Sequence, residues 1–285
     1  MWGEKTVKRI KTVLFCVMLL VAALYALNRW LLYSSFDRTV PEITFGQELL
    51  EISVDAPKEE LLSDVKAVDA RDGDVTDTVI IESLSGLLNN QERLVTYAAF
   101  DRDNHVTKAE RRIRYTDYTS PRFSLDAPLA AYSASEEISE ILAPLHASDC
   151  IDGDLTDQIV VMDSELSSLT SESLSMQYEV QVTNSCGDVV SLTLPVKIRM
   201  SGEGNFGGLA SIELTDYLIY RKVGEAVNYG ALLESAVIRG EEYGMDAVQV
   251  QSDLDSSKPG VYTATYSIEQ EEEKASVDLL IVVEE

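Results

Sequence analysis

Positive charge is scarce in this chain: 23 Lys/Arg stand against 49 Asp/Glu in 285 residues, a net charge of −26. Histidine is scarcer still, with only His105 and His146, and there are three cysteines. So acidic a surface repels phosphate backbones and attracts cations, which excludes nucleic acid as a partner. Neither histidine stands beside a serine or cysteine motif, so no nucleophile-and-base set can be assembled. The apolar content of 45 % is ordinary for a folded chain and excludes wholesale disorder.

What basic charge there is gathers at the start. "MWGEKTVKRIK" carries Lys5, Lys8, Arg9 and Lys11 against Glu4, and runs into the apolar "TVLFCVMLLVAALYALNRWLLY", residues 12–33. As a helix this run is about 33 Å long, enough to cross a hydrocarbon core of about 30 Å. The flanking charge predicts a cytoplasmic tail over 1–11, a signal anchor over 12–33 and the remainder outside the plasma membrane. Trp30 and Tyr33 suit the outer interface, and Arg29 can snorkel there. A cleaved signal peptide opens in the same way, but no clean A-x-A site precedes a polar stretch and the run resumes with "WLLY". Cys16 reads as a small apolar side chain in lipid. Six of the basic and two of the acidic residues lie in 1–38, which leaves 17 and 47 beyond, net −30. The C-terminus, "IVVEE", shows neither a wall-sorting motif nor a second spanning run, so attachment is expected through the N-terminal helix alone.

The remainder is repetitive. Asp69, Asp72, Gly73, Asp74, Thr76 and Asp77 recur 80 residues later as Asp149, Asp152, Gly153, Asp154, Thr156 and Asp157, and Ala67, Pro41 and their counterparts Ala147, Pro121 keep the same offset. So many identities without a gap mark two copies of one module, over 39–118 and 119–200. Each copy closes with two alternating runs about a polar turn. Val95, Tyr97 and Ala99 share a face in the first; Tyr178, Val180 and Val182, then Val190, Leu192, Leu194, Val196 and Ile198, do so in the second. Period two across an Asn/Gly/Asp turn predicts an antiparallel hairpin with one face buried. Pro195 requires an edge or bulge at its nitrogen. A Gly-rich linker, "SGEGNFGG" at 201–208, leads to a third module over 209–285. That module lacks the aspartates but keeps the hairpin, with Tyr262, Ala264, Tyr266 and Ile268 facing Val277, Leu279, Ile281 and Val283. Its middle stretch "VNYGALLESAVI" fits a short helix or a bent strand.

The phrases "VDARDGDVTD" and "DSSKPGVYTATYSI" resemble the tandem bacterial immunoglobulin-like domains of Gram-positive surface proteins. Related domains occur in pesticidal crystal toxins and hyalin-type repeats. Asn104 and His105 depart from the Gly-Asn usual at that turn. The resemblance covers about 39–285. It implies an all-β chain of three tandem immunoglobulin-like β-sandwich modules after one transmembrane α-helix, used as spacer or adhesive units without enzymatic activity. It also implies that the loop holding Cys150 and the hairpin turn holding Cys186 lie at one end of the sandwich. A Cys150–Cys186 disulfide is expected there, permitted by an oxidising exterior; two thiols or an intermolecular bond are the alternatives.

The two sets of aspartates, Asp69, Asp72, Asp74, Asp77 and Asp149, Asp152, Asp154, Asp157, have three readings. Clustered carboxylates supply the oxygens that calcium wants, although the spacing is not that of an EF-hand. A glycine at positive φ with aspartates capping N–H groups makes a tight turn. Glycosidase chemistry needs two carboxylates across a cleft, which one short loop does not give. The expected function is a non-catalytic, membrane-anchored stalk for cell-surface interaction or adhesion. Two alternatives stand beside it. One is a glycan- or protein-binding receptor using the tyrosines of the third module (Tyr217, Tyr220, Tyr229, Tyr243, Tyr262, Tyr266), which also suit a core. The other is an envelope hydrolase using the aspartates.

Overall fold

A computed structural model describes residues 2–35, 38–88, 91–131, 137–169, 173–199, 210–270 and 273–285. The first element is helix α1, Trp2–Ser35. No proline or glycine interrupts Glu4–Ser35, so once the apolar run nucleates, the helix propagates back through the basic segment. Arg9–Leu31 is long and apolar enough to cross a membrane, with none of it buried against the protein.

Beyond α1 the chain is all-β, in three sandwiches of one plan. The first has β1 (Glu42–Phe45), β2 (Leu49–Ile52), β3 (Val65–Asp69), β4 (Gly73–Asp74), β5 (Ile80–Leu84), β6 (Glu92–Phe100) and β7 (Val106–Tyr115). The second has β8 (Arg122–Leu125), β9 (Ala130–Ala131), the short helix α2 (Ile138–Ile141), β10 (Leu145–Asp149), β11 (Gly153–Asp154), β12 (Val160–Leu169), β13 (Ser173–Thr183) and β14 (Val189–Arg199). The third has β15 (Ala210–Leu214), β16 (Leu218–Lys222), β17 (Leu233–Ile238), β18 (Glu241–Glu242), β19 (Gln249–Ser252), β20 (Gly260–Gln270) and β21 (Glu273–Glu284).

Each sandwich sets a three-stranded sheet (β1-β3-β4, β8-β10-β11, β15-β17-β18) against a four-stranded one (β5-β6-β7-β2, β12-β13-β14-β9, β19-β20-β21-β16). The opening strand is split between the sheets. Its second half runs parallel to the last strand, as in β16 with β21 and β9 with β14. This two-sheet arrangement is the immunoglobulin-like fold expected from the alternating hairpins. The inward positions are filled as the alternation requires: Val95, Tyr97, Ala99, Val180, Leu194, Ala264, Tyr266, Leu279 and Ile281 are fully enclosed. "VNYGALLESAVI" resolves into a 3-10 turn, Tyr229–Ala231, followed by β17. Pro195 lies opposite Gln177 of β13, and β9 joins β14 at Lys197 and Ile198, so among the described residues no strand pairs with Pro195 on that side. The Gly-rich linker at 201–208 lies outside the described residues.

The chain forms two compact units. Unit 1 comprises 1–51, 56–85 and 93–114; unit 2 comprises 52–55, 86–92 and 115–285, and so takes in the whole second and third sandwiches. Within unit 1, Arg111 is completely buried and its guanidinium forms a two-pronged ion pair with Asp64, beneath the ring of Phe45.

Within unit 2, the second and third sandwiches are joined by an apolar seam. Leu218 and Leu280, on the outer face of β16 and β21, pack into the core of Phe123, Leu125, Leu145, Val180 and Leu194. Four further contacts close this seam. The Phe123 amide donates to the Tyr220 hydroxyl (2.9 Å), Arg122 stacks over the Tyr220 ring (4.7 Å) while pairing with Glu284 (3.0 Å), and Lys197 pairs with Asp278 (2.5 Å). The third sandwich keeps a core of its own around Ile212, Ala264, Tyr266, Leu279 and Ile281, and this seam is added on the opposite face of β16 and β21.

Candidate functional site

The repeated aspartate loops are built from the backbone outward. Gly73 and Gly153 sit at φ +77° and +74°, the left-handed conformation a side chain resists, and there the chain reverses from β3 into β4 and from β10 into β11. Asp69 Oδ1 accepts the amides of Arg71 (2.7 Å) and Asp72 (3.0 Å); Asp149 Oδ1 accepts those of Ile151 (3.1 Å) and Asp152 (2.6 Å). Asp74 and Asp154 accept the amides of Thr76 and Thr156. The threonine hydroxyls in turn accept the amides of Ala67 and Ala147. Hence the alanines keep register with the aspartates: at 0 % and 1 % exposure there is no room for a larger side chain beneath the turn. Hydrogen bonds from the Thr76 and Thr156 hydroxyls and amides hold the Asp74 and Asp154 carboxyls below the usual carboxylate range. Asp77 and Asp157 lie exposed on the 3-10 turns that follow.

One aspartate of each loop reaches further. Asp72 accepts the Arg102 amide (2.9 Å), and Asp152 accepts both the amide (2.6 Å) and the hydroxyl (2.7 Å) of Ser185. The loop is thereby tied to the hairpin turn at the same end of the same sandwich. Asn184 strengthens the second tie by donating to Asp149 Oδ2 (2.7 Å) and to the Tyr118 hydroxyl (2.9 Å). Tyr118 also donates to Asp188 (2.6 Å); burial first, and then that carboxylate, push its phenol well above the ordinary range. The loop aspartates thus accept from N–H and O–H donors of their own sandwich, while Asp188 accepts from Tyr118 at the end of the preceding module. Among the described residues no three His, Cys, Asp or Glu side chains are grouped to hold a metal ion.

The loop and turn bearing Cys150 and Cys186 do lie together, but no disulfide joins the two sulfurs. Cys150 Sγ faces the Thr119 peptide, accepting from its amide (3.4 Å) and donating to its carbonyl (3.3 Å). Cys186 is 1 % exposed, with its amide bound by Asn184 Oδ1 and its carbonyl by the Leu87 amide. The Asp152–Ser185 and Asp149–Asn184 hydrogen bonds bridge the loops where a disulfide was expected. Both histidines are likewise engaged: His105 Nδ1 lies 2.5 Å from Asp101 Oδ2 and His146 Nε2 lies 2.7 Å from Asp126 Oδ2.

The tyrosines of the third sandwich serve its interior. Tyr266 is fully buried and donates to the Tyr229 carbonyl (2.9 Å), and Tyr217, Tyr229, Tyr243 and Tyr262 pack around the same core. Tyr220 belongs to the seam. Beside that seam lies a cleft of about 600 Å3 lined by Gln177, Ser191, Thr193, Asp253 and Thr263 over aliphatic Val261 and Val282. Leu218, Leu280 and Arg122 were missed by alternation alone. Leu280 alone has a sequence signal, the run "LLIVV" at 279–283, where neighbours on opposite faces are both apolar.

No family model matches this chain, and no curated protein sequence matches it. Solved structures do align with it. One holds the second CBM51 and the INT domains of Clostridium perfringens ZmpB with GlcNAc (17 % identity, 53 % of this chain and 26 % of that one, TM-score 0.22). Another holds the M60 catalytic domain of ZmpB with both CBM51 domains (12 %, 87 % and 31 %, TM-score 0.23). A third is human CDH23 EC21-23 (10 %, 85 % and 100 %, TM-score 0.20). The chain spans about a quarter to a third of the length of the two ZmpB structures. At such identities and TM-scores nothing of those proteins' activity carries over. What the chain's own coordinates define is a set of immunoglobulin-like sandwiches behind one apolar helix.

Proposed function

We propose that this is a membrane-anchored, non-catalytic surface protein that holds its immunoglobulin-like sandwiches outside the plasma membrane for contact with another surface component. The observation that carries the reading is the succession of parts: an unburied apolar helix followed directly by sandwiches whose clustered carboxylates serve their own backbone. Lys5, Lys8, Arg9 and Lys11 ahead of the apolar span favour a cytoplasmic N-terminus. The net charge of −30 beyond residue 38 keeps the displayed part soluble and favours partners that present cations. Calcium, weakly bound, is retained only as a counter-ion of that acidic surface.

The test of anchoring is extraction. The full chain is expected to stay with membranes through an alkaline carbonate wash and to keep its N-terminal residues by mass spectrometry. Release of a product lacking residues 1–38 would replace the anchor with a cleaved signal.

A further inference from the structure

The free edge of the four-stranded sheet differs among the three sandwiches. The outermost strand is β5 in the first, with five residues, and β19 in the third, with four; in the second it is β12, with ten. β12 ends its sheet, paired with β13 on one side, and among the described residues no strand lies on the other. Such an edge presents a row of backbone N–H and C=O groups that template another strand, and proteins usually keep it short or guard it with charged residues, proline or bulges. β12 is long and has no lysine or proline; what guards it against its own kind is the charge of Asp163 and Glu165 and two irregularities of register. From Val160 to Ser168 all but Val161 are exposed, including Val160 (54 %), Met162 (55 %) and Leu166 (52 %). Register shifts at Val161/Asp163 and Leu166/Ser168 leave Asp163–Leu166 as the regular stretch between them.

The charge along this edge has one sign. Asp163 and Glu165 share a face two residues apart, and Asp163 lies directly opposite Glu179 of β13, also exposed. Like charges so opposed are destabilising, and no Lys or Arg occurs on β12 or β13 to relieve them. A second copy of this chain, paired antiparallel, would bring Asp163 and Glu165 against their own counterparts.

We propose that the β12 edge is the docking surface for an extended strand of a partner protein that carries Lys or Arg at alternate positions. The incoming strand pairs its backbone with Asp163–Leu166, sets its cations against Asp163, Glu165 and Glu179, and turns its apolar alternates toward Leu166. The inference rests on the reading of these sandwiches as a contact scaffold and names the surface. Its test does not depend on where the helix resides.

The test uses the full chain in nanodiscs of zwitterionic lipid and a labelled short peptide alternating lysine and valine, followed by fluorescence anisotropy. The peptide is expected to bind. Affinity is expected to fall about tenfold or more, equivalent to about 1.4 kcal/mol, for the Asp163→Lys/Glu165→Lys protein. The same loss is expected, on unaltered protein, for a peptide N-methylated along one edge, which keeps its charge but cannot pair. The melting temperature of the double variant is expected to equal or exceed the parent's, since the Asp163–Glu179 repulsion is removed. Equal binding of the N-methylated peptide would reduce the interaction to charge attraction and overturn the proposal, as would undiminished binding by the folded double variant. A dimer in sedimentation that the double substitution dissolves would make a second copy the occupant and overturn it equally.

Discussion

Asp69 and Asp149 each hold a turn through two amides, and Asp69 is 1 % exposed, so its loss strands donors that a side chain cannot replace from within the core. Asp69→Ala is expected to cost about 2 kcal/mol by chemical denaturation, and Asp69→Asn much less, because an amide oxygen accepts the same bonds. The melting temperature is expected to be the same in chelator as in about 1 mM calcium, since the carboxylates serve N–H groups; a calcium-dependent rise would restore the metal reading. The pH dependence follows from Asp74 and Asp154. Both are held lower in the fold than in the unfolded chain, where aspartate titrates near about 3.9. Their contribution is complete above that pH and is lost as pH falls through the folded values, so stability measured by denaturant titration should decline below about pH 4. Thr76→Val with Thr156→Val should flatten that decline. The cysteines give a direct count: denatured without reductant, the chain should titrate as three thiols, whereas one thiol would establish the Cys150–Cys186 bridge.

β6 and β20 show how far alternation is legible. Tyr97 and Tyr266 fall on inward positions, and each reaches across its sandwich to a carbonyl of a 3-10 turn, Leu61 and Tyr229. Burial pushes the Tyr266 phenol up to about 12. A raised tyrosine favours the protonated folded state, so its contribution is complete below about pH 10 and disappears as pH climbs to about 12. Tyr266→Phe should cost about 1 kcal/mol and weaken that alkaline dependence, as read by alkaline denaturation. The buried Arg111–Asp64 pair is a sharper case. Asp64→Ala should cost about 3 kcal/mol in thermal denaturation, because it leaves a guanidinium in the core, while replacing both partners by apolar residues should cost much less. The hairpins were readable from period two, and the turn was one of three readings of the aspartate loops through a glycine at positive φ; the threonine hydroxyls that accept the alanine amides were not readable, because register alone does not say which side chain bonds which amide. The Cys150 and Cys186 positions were readable only to the level of sharing one end of a sandwich, since a disulfide depends on side-chain directions that spacing does not encode. The length of β12 was hidden because both its faces are exposed from Met162 to Ser168 and shifts of register at Val161/Asp163 and Leu166/Ser168 interrupt its alternation.

Unit 2 is more than two modules in succession. Leu280 is 4 % exposed although it points out of its own sheet, and its partners are the interior residues of the preceding sandwich. Leu280→Ala should cost about 2 to 5 kcal/mol, and hydrogen exchange should show protection falling in β13 and β14 as well as in β21. Loss confined to the third sandwich would mean separate cores. None of this was visible from module boundaries, because an outward leucine in a strand is ordinary until its partner is known. The account as a whole depends on these sandwiches standing outside the cell. Protease added to intact cells, with α1 followed by an N-terminal label and the sandwiches by antibody, measures that most directly. The account predicts that everything beyond the helix is digested while the N-terminal label stays protected; sandwiches digested only after lysis would contradict it.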